Sequence, residues 1–298
     1  ARDEEYVEAF REIFDEAVRC RLRTPKAVAS ELSAGLDSGS VTATAAGLLA
    51  REGKRLLAYT AVPCPSFSGV APAGLIADEG PYAAEVAALY ANIVHVCLDS
   101  TGCDMLHELE RIYPLLDLPH AAALNSVWRH LIYDHAVARG ANVMLSGSLG
   151  NFAFSYSGSD ILHNTFRRGR WLDTLRLARD MRRMGISSGR NAASLTVFGL
   201  LPWEIRRRVD PLIRDAGIEW CAIDPTRARE LDAVDQFRRH LFTRRSALPY
   251  LMETAFQLNQ YGDYNAAASA GWGLDVRDPT ADRRVFEFCA AIPPEQFI

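Results

Sequence analysis

The stretch Leu32-Ser33-Ala34-Gly35-Leu36-Asp37-Ser38-Gly39-Ser40 gathers small residues, hydroxyls and one carboxylate. Set between a strand and a helix, such a loop aims backbone N–H groups and Ser hydroxyls outward at a helix N-terminus. Unsatisfied donors and the helix dipole make that a ready site for phosphate. Asp37 is the odd member, because a carboxylate beside phosphates repels them unless a Mg²⁺ bridges the two. The pattern is neither G-x-x-x-x-G-K-S/T nor G-x-G-x-x-G, which disfavours a Walker site and a dinucleotide fingerprint. An ordinary capped turn has the same composition, so the loop alone leaves both readings open. Other candidates carry less chemistry. His130 and His135, five apart, do not share a helix face and have no E-x-x-H partner, so they are expected to be solvated helix residues. Six cysteines without a C-x-x-C pair predict scattered buried thiols and neither a zinc knuckle nor a dithiol motif. Arg167, Arg168, Arg170, Arg182, Arg183 and Arg190 form a basic cluster that suits an acidic peptide, a polyphosphate or simply a solvated helical face.

The elements that must position these residues follow from periodicity. Tyr6, Phe10, Phe14 and Val18 lie at helical spacing in Glu5–Arg21, with acidic residues toward the start, which predicts an amphipathic helix. Four short apolar or β-branched runs read as strands: Ala27–Leu32, Leu56–Val62, Ile93–Leu98 and Asn142–Ser146. Helical patterns alternate with them at Ser40–Arg51, Glu79–Tyr90 and Ser126–Arg139, with Asp104–Tyr113 as an extra helix. That alternation predicts an α/β fold with a parallel sheet and helices on both faces. A ligand then belongs beyond the carboxyl ends of the strands. Thr60–Asp78, rich in Pro and Gly, reads as a long loop at one of those ends. From Trp171 the pattern turns helical, at Trp171–Arg183, Pro202–Arg214, Thr226–Phe242, Leu248–Tyr261 and Arg283–Ala291. The expected organisation is one domain over 1–298, an α/β part at 1–160 and a mainly helical part at 161–298.

Ser33-Ala34-Gly35-Leu36-Asp37-Ser38 resembles the S-G-G-x-D-S pyrophosphate loop of the ATP-pyrophosphatase enzymes, in particular the asparagine synthetase carboxy-terminal domain. Val143-Met144-Leu145-Ser146-Gly147 is similar to that family's fourth-strand motif. Asp275 to Arg284 resembles its E-x-R-x-P-F-L-D segment, followed by the Pro-Pro pair of Ile292-Pro293-Pro294. The resemblance implies an adenine nucleotide alpha hydrolase-like fold, and a ligase that forms C–N bonds by cleaving ATP to AMP and pyrophosphate to activate a carboxylate for an amine. It implies ATP-binding by Leu32, Ser33, Gly35, Asp37, Ser38, Thr60, Ala61, Ser146 and Gly147, with Mg²⁺ held by Asp37. Asp37, Asn151 and Arg277 are the residues to which it gives catalytic roles, and Arg277 is expected among Asp275, Asp278 and Asp282 as an ion-paired organiser of a loop facing the site.

Departures narrow the reading. Family asparagine synthetases follow Ser-Gly with Glu-Gly-x-Asp-Glu, whereas Ser148-Leu149-Gly150-Asn151-Phe152 stands here and its acidic residues are gone. Asn151 still accepts a bond from a metal-bound water, but Ser148 is no general base at neutral pH. Asn125-Ser126-Val127-Trp128, Gly147 to Asn151, Ser155 to Gly158 and Arg277 to Asp282 are most similar to the lasso-peptide cyclase branch, whose members close a precursor peptide's Asp or Glu side chain onto its own amino terminus. The aromatic stretch Phe152–Tyr156 suits such a peptide, or simple packing. That branch implies a peptide carboxylate substrate, a precursor peptide and a leader-processing partner. Asparagine synthetase proper, and a non-catalytic nucleotide-binding relative, remain the alternatives. Family enzymes also carry an amino-terminal glutaminase-like domain and a Lys after the Pro-Pro segment. The chain is therefore expected to be a piece of a longer protein.

Composition sets the outer bounds. The 298 residues carry 33 Lys and Arg against 37 Asp and Glu, are 49% hydrophobic, and have a formal charge of -4. This excludes a disordered chain and a protein that holds nucleic acid by bulk positive charge. The longest weakly polar stretch, Val41–Ala50, falls short of the roughly 18 apolar residues a membrane span needs. The opening Ala-Arg-Asp-Glu-Glu is not a signal peptide. The sequence thus predicts a cytoplasmic protein with neither nucleic acid nor membrane as partner.

Overall fold

The structure is a computed structural model that describes residues 2–69, 76–116, 125–156, 161–183, 185, 188–210, 224–233, 235 and 260–297. In chain order the elements begin with α1 (Asp3–Arg21), β1 (Ala27–Glu31), α2 (Leu36–Ala50), β2 (Leu56–Val62), α3 (Gly80–Ala88) and β3 (Ile93–Asp99). There follow α4 (Met105–Ile112), α5 (Ser126–Ala138), β4 (Ala141–Leu145), α6 (Ile161–Arg167), α7 (Trp171–Arg183), α8 (Gly189–Leu195), α9 (Trp203–Val209) and α10 (Pro225–Glu230). The last are α11 (Gln260–Trp272), β5 (Asp275–Arg277) and α12 (Arg283–Ala291).

The chain divides into two units, one of Ala1–Ser155 with Met252–Ile292, the other of Tyr156–Leu251 with Pro293–Ile298. The division therefore does not fall once near residue 160: the stretch after the helical part returns to the sheet. In the first unit all five strands are parallel, in the order β3-β2-β1-β4-β5. The α/β parallel sheet predicted from alternation is thus present, with one strand more than expected. β5 is three residues long, too short for periodicity to announce, and the sequence reading had placed it in a loop.

The strand order explains the layers. The chain runs outward from β1 through β2 to β3, then returns to the other side of β1 as β4. Right-handed crossovers therefore put α2 and α3 on one face and α5 on the other. Side chains alternate accordingly: Ala58 packs with Ala83 and Ala87 of α3, while its neighbour Tyr59 packs with Ile132, Tyr133 and Ala136 of α5. Each large apolar side chain fully buried in this way contributes roughly 1.5–3 kcal/mol.

α1 begins with Asp3, Glu4 and Glu5 and ends with Arg19 and Arg21, charges that complement its dipole, and it buries Phe14, Ala17 and Val18. Phe154 packs on Phe10 and Phe14, with centroids 5.4 and 5.3 Å away, so the aromatic stretch after β4 is turned onto α1. His130 is fully buried instead of solvated, because Nδ1 lies 2.8 Å from Oε2 of Glu108. Arg111 binds both Glu108 and Asp134, and Asp134 also accepts from Nε1 of Trp272 at 2.8 Å, tying α4, α5 and α11 together. Among the described cysteines only Cys289 is buried; Cys97 is exposed and Cys20, Cys64 and Cys103 are half-buried, while Cys221 lies outside the described residues.

In the second unit α6, α7 and α8 touch one another. Asp210, fully buried, accepts from Oγ of Ser194 at 2.6 Å and from Nε of Arg206 at 3.2 Å, which fastens α8 to α9. The expected helix Pro202–Arg214 is present as α9 over its described part, Thr226–Phe242 begins as α10 and has about half of its length outside the described residues, and Leu248–Tyr261 falls largely outside them. α6, α8 and α11 were not anticipated. Among the described residues no helix is long and apolar enough to cross a membrane.

Candidate functional site

β1 and β4 are neighbours whose onward connections leave in opposite directions, so a crevice opens beyond their carboxyl ends. A cavity of about 720 Å³ occupies it, lined among others by Leu32, Ser33, Gly35, Asp37, Ser38, Ala61, Gly147 and Asn151. That is a size typical of small-molecule sites. Eight of the residues expected from sequence thus come together there.

The loop after β1 is held by its own hydroxyls. Oγ of Ser38 accepts from the Ser33 backbone N–H at 3.0 Å and lies 2.7 Å from Oγ of Ser33, which in turn accepts from the Gly35 N–H at 3.0 Å. Both serines shape the turn that leads into α2, and Gly35 caps that helix without a side-chain bond. The first-turn N–H groups of a 15-residue helix then point toward the cavity, the geometry that favours an anion.

The loop after β4 presses on this first turn. A Cβ on Gly147 would stand 2.8 Å from the carbonyl carbon of Asp37 and 2.8 Å from the Ser38 nitrogen. A Cβ on Gly150 would stand 2.2 Å from Oδ1 of Asp37. Neither glycine has a positive φ, so it is space and not backbone conformation that demands them. The same loop is anchored on its far side by β5: the Leu149 N–H donates to Oδ2 of Asp278 at 3.0 Å, and the Ser146 N–H to the Arg277 carbonyl at 3.0 Å. Asp278 also takes the Thr280 N–H and hydroxyl, and burial pushes its carboxyl up to about 6.

Asp37 is the electrostatic centre. Its Oδ1 is buried without a hydrogen-bond partner, and burial raises the carboxyl above its usual range, an effect the Ser155 hydroxyl opposes. A half-buried carboxylate with one oxygen unpartnered is stabilised by a cation. Asn151 and Ser155 line the same corner, with the Ser155 hydroxyl donating to Oδ1 of Asn151 at 3.2 Å. Among the described residues no cluster of three His, Cys, Asp or Glu offers a complete metal cage. One carboxylate, neutral oxygens and an open anion site fit a Mg²⁺ that draws its remaining ligands from water and phosphate.

Three expected residues stand elsewhere. Thr60 faces away, since its neighbours Tyr59 and Ala61 take the cavity side; its hydroxyl donates to the Leu32 carbonyl at 2.8 Å and braces β1 from behind. Ser146 is buried with its Oγ 2.6 Å from Oγ of Ser148, and it is Ser148 that reaches the cavity. Arg277 turns back along its strand to Asp275 and to the carbonyls of Arg21 and Arg23, at 2.7 and 3.1 Å. It bonds neither Asp278 nor Asp282: Asp282 instead pairs with Arg21 and Arg284.

The sequence reading missed a wall on the α5 side. Tyr59, Trp128 and Ile132 line it, with Glu31 beside them. Nε of Arg129 lies 3.3 Å from Oε1 of Glu31, and its guanidinium stacks over Trp128. Period two from Ala61 would have found Tyr59, and helical spacing from Trp128 would have found Ile132. Which face of α5 meets the sheet is not a local property.

A small-residue and hydroxyl loop at the switch point of a parallel sheet is the arrangement of a ligand-binding α/β protein. The family model described as asparagine synthase matches residues 9–298, and the chain belongs to that family. It is similar to asparagine synthetase [glutamine-hydrolyzing] 3 of Bacillus subtilis (strain 168), 26% identical over 289 residues. The match covers 96% of this chain and 42% of that protein, so the chain spans less than half the length of the curated relative it matches. The NH3-dependent NAD synthetase from Campylobacter jejuni shows 12% identity over 78% of this chain and 94% of its own, at a TM-score of 0.31, a likeness too slight to bear on fold or chemistry.

Proposed function

We propose that this protein is an ATP-dependent synthetase that activates a carboxylate as its acyl-adenylate for attack by an amine. A carboxylate oxygen of the substrate attacks the α-phosphorus, the bond to the β-phosphate oxygen breaks and pyrophosphate leaves. The amine then attacks the acyl carbon, AMP departs, and the amine proton passes to solvent. The observation that carries this reading is the buried, unpartnered oxygen of Asp37 set against the opening turn of α2. That pairing suits a metal-bound polyphosphate. Mg²⁺ would be held by Asp37, and when bound it neutralises charge on the phosphates. The α2 N-terminus would take the phosphates, Gly147 would border the ribose, and Leu32, Tyr59 and Ala61 would flank the base. With Ser148 and Asn151 where relatives have carboxylates, the residues act by position and electrostatics.

For the acyl donor we propose a peptide side-chain carboxylate, closed onto an amine of the same peptide, with a precursor peptide and its leader-processing partner as associates. Similarity to the lasso-peptide cyclase branch and the loss of the acidic residues after Gly147 support this over free aspartate. The test is pyrophosphate release by the full-length protein with Mg²⁺ and ATP, with and without a peptide bearing an internal Asp or Glu. Release that requires the peptide and disappears in Asp37→Ala is the expected result. Release with free aspartate would favour asparagine synthesis. ATP binding with no release under any condition would refute the enzyme reading.

A further inference from the structure

Charge is unevenly distributed along this chain. Residues 156–251 hold 18 Arg against 11 Asp and Glu, although the whole chain carries -4. The excess concentrates around α7: residues 167–183 contain seven Arg and two Asp. Asp173 pairs with Arg170 and Arg176, and Asp180 with Arg179 and Arg183, so each carboxylate of this stretch is shared by two guanidiniums.

α7 turns Thr174 and Met181 inward. Its outer side begins with Trp171, Leu172 and Leu175, which are 66%, 72% and 68% exposed. The exposed positions that follow are Arg176, Arg179, Arg182 and Arg183. Large apolar side chains left this open cost solvation free energy, and contiguous ones mark a contact surface. Trp and Arg are also the residues that most often dominate interface energetics.

We infer that the outer face of α7 docks an extended acidic polypeptide segment in which large apolar residues are followed directly by a run of carboxylates. The order of the residues selects this occupant. A helix that lies in a lipid surface separates apolar and charged residues onto opposite long faces. Here they follow one another along a single face, so sinking Trp171 and the two leucines into a bilayer would drag Arg176 with them. At 1.5 Å per residue the guanidiniums begin one step beyond Leu175 and reach roughly 12 Å past it, the span of about four extended residues. An apolar anchor followed by four or five acidic residues matches that spacing and sign.

The experiment uses the full-length protein and a fluorescein-labelled probe, Leu-Leu-Phe-Gly-Glu-Glu-Asp-Glu-Glu, read by anisotropy. Two control peptides replace the acids by Gln, or shuffle the same residues so that apolar and acidic ones alternate. The expected result is binding at least about tenfold tighter than either control, weakened by salt. Affinity should fall about tenfold or more in the quadruple variant Arg176→Gln, Arg179→Gln, Arg182→Gln, Arg183→Gln, and likewise in Leu172→Ser with Leu175→Ser. All six side chains are exposed, so the variants keep the fold, and hydrogen exchange should show α7 of the wild type protected by the probe alone. Binding equal to that of the Gln control, or unchanged in the quadruple variant, overturns the proposal. So does a preference for phosphatidylserine vesicles over the probe, or self-association that the quadruple variant abolishes.

Discussion

Gly150→Ala tests how the two loops of the site are fitted together. The added Cβ would lie 2.2 Å from Oδ1, 2.3 Å from Cγ and 2.8 Å from Cβ of Asp37. Ordinary contact needs roughly 3.4 Å or more, so either the carboxyl or the loop after β4 must move by about 1 Å. Overpacking of this kind costs about 1–3 kcal/mol, which for a chain of this length lowers Tm by roughly 2–10 °C. The diagnostic is a double-mutant cycle. Asp37→Ala removes the two nearest atoms and leaves only Cβ, so Gly150→Ala in that background should cost less than about 1 kcal/mol. A coupling energy of about 1–2 kcal/mol is expected, measured as midpoint shifts in thermal unfolding. In the single variant, displacement of Asp37 should also slow pyrophosphate release on the order of a hundredfold. Additivity within about 0.5 kcal/mol would show that Gly150 does not owe its identity to Asp37 and would refute the close fit.

Three further outcomes follow from the same geometry. Thr60→Val loses the bond to the Leu32 carbonyl and should cost about 1–3 kcal/mol, while ATP affinity by calorimetry stays within about twofold; a tenfold loss of affinity at unchanged Tm would return Thr60 to the base pocket. Arg277→Met should lower Tm through the lost bonds to Arg21, Arg23 and Asp275 and leave pyrophosphate release per folded molecule nearly intact; a large loss of release without a change in Tm would give Arg277 a direct role. The Arg284 hydrogen bond, then Arg21, holds the Asp282 carboxyl well below the usual carboxylate range. A depressed folded-state value means that its contribution is present above about pH 4 and is lost as pH falls further. Asp282→Asn should therefore destabilise by about 1.5–3 kcal/mol at pH 7, and the gap to wild type should narrow below about pH 4. A gap independent of pH would refute the ion pairing.

Much of the site was legible because the chemistry is contiguous. Ser33, Gly35, Asp37 and Ser38 lie in one short stretch, and strand, turn and helix on either side have local signatures: β-branched and apolar runs, a Gly-rich step, an apolar helical face. The alternation of strand and helix was enough to fix a parallel sheet, since parallel neighbours need long crossovers.

Tertiary structure decided the rest, wherever partners are distant in sequence. Only the order β3-β2-β1-β4-β5 brings Gly147 and Gly150 against Asp37, and nothing in Ser146 to Asn151 alone says that Gly147 makes room for the backbone of α2 and Gly150 for a carboxylate. β5 exists because β4 offers it an edge; three residues carry no period of their own. Asp278 looked like a member of a charged loop until Leu149, 129 positions away, supplied its donor. Thr60 was assigned to the right strand and the wrong face, a one-residue error that the period of two turns into opposite sides of the sheet. Arg277 and His130 were misplaced for the same reason: a long guanidinium or a buried imidazole goes where acceptors stand, and those acceptors belong to α1 and α4. The amino-acid sequence determined which groups could do chemistry; the packing of β1, β4 and β5 determined which of them share a cavity.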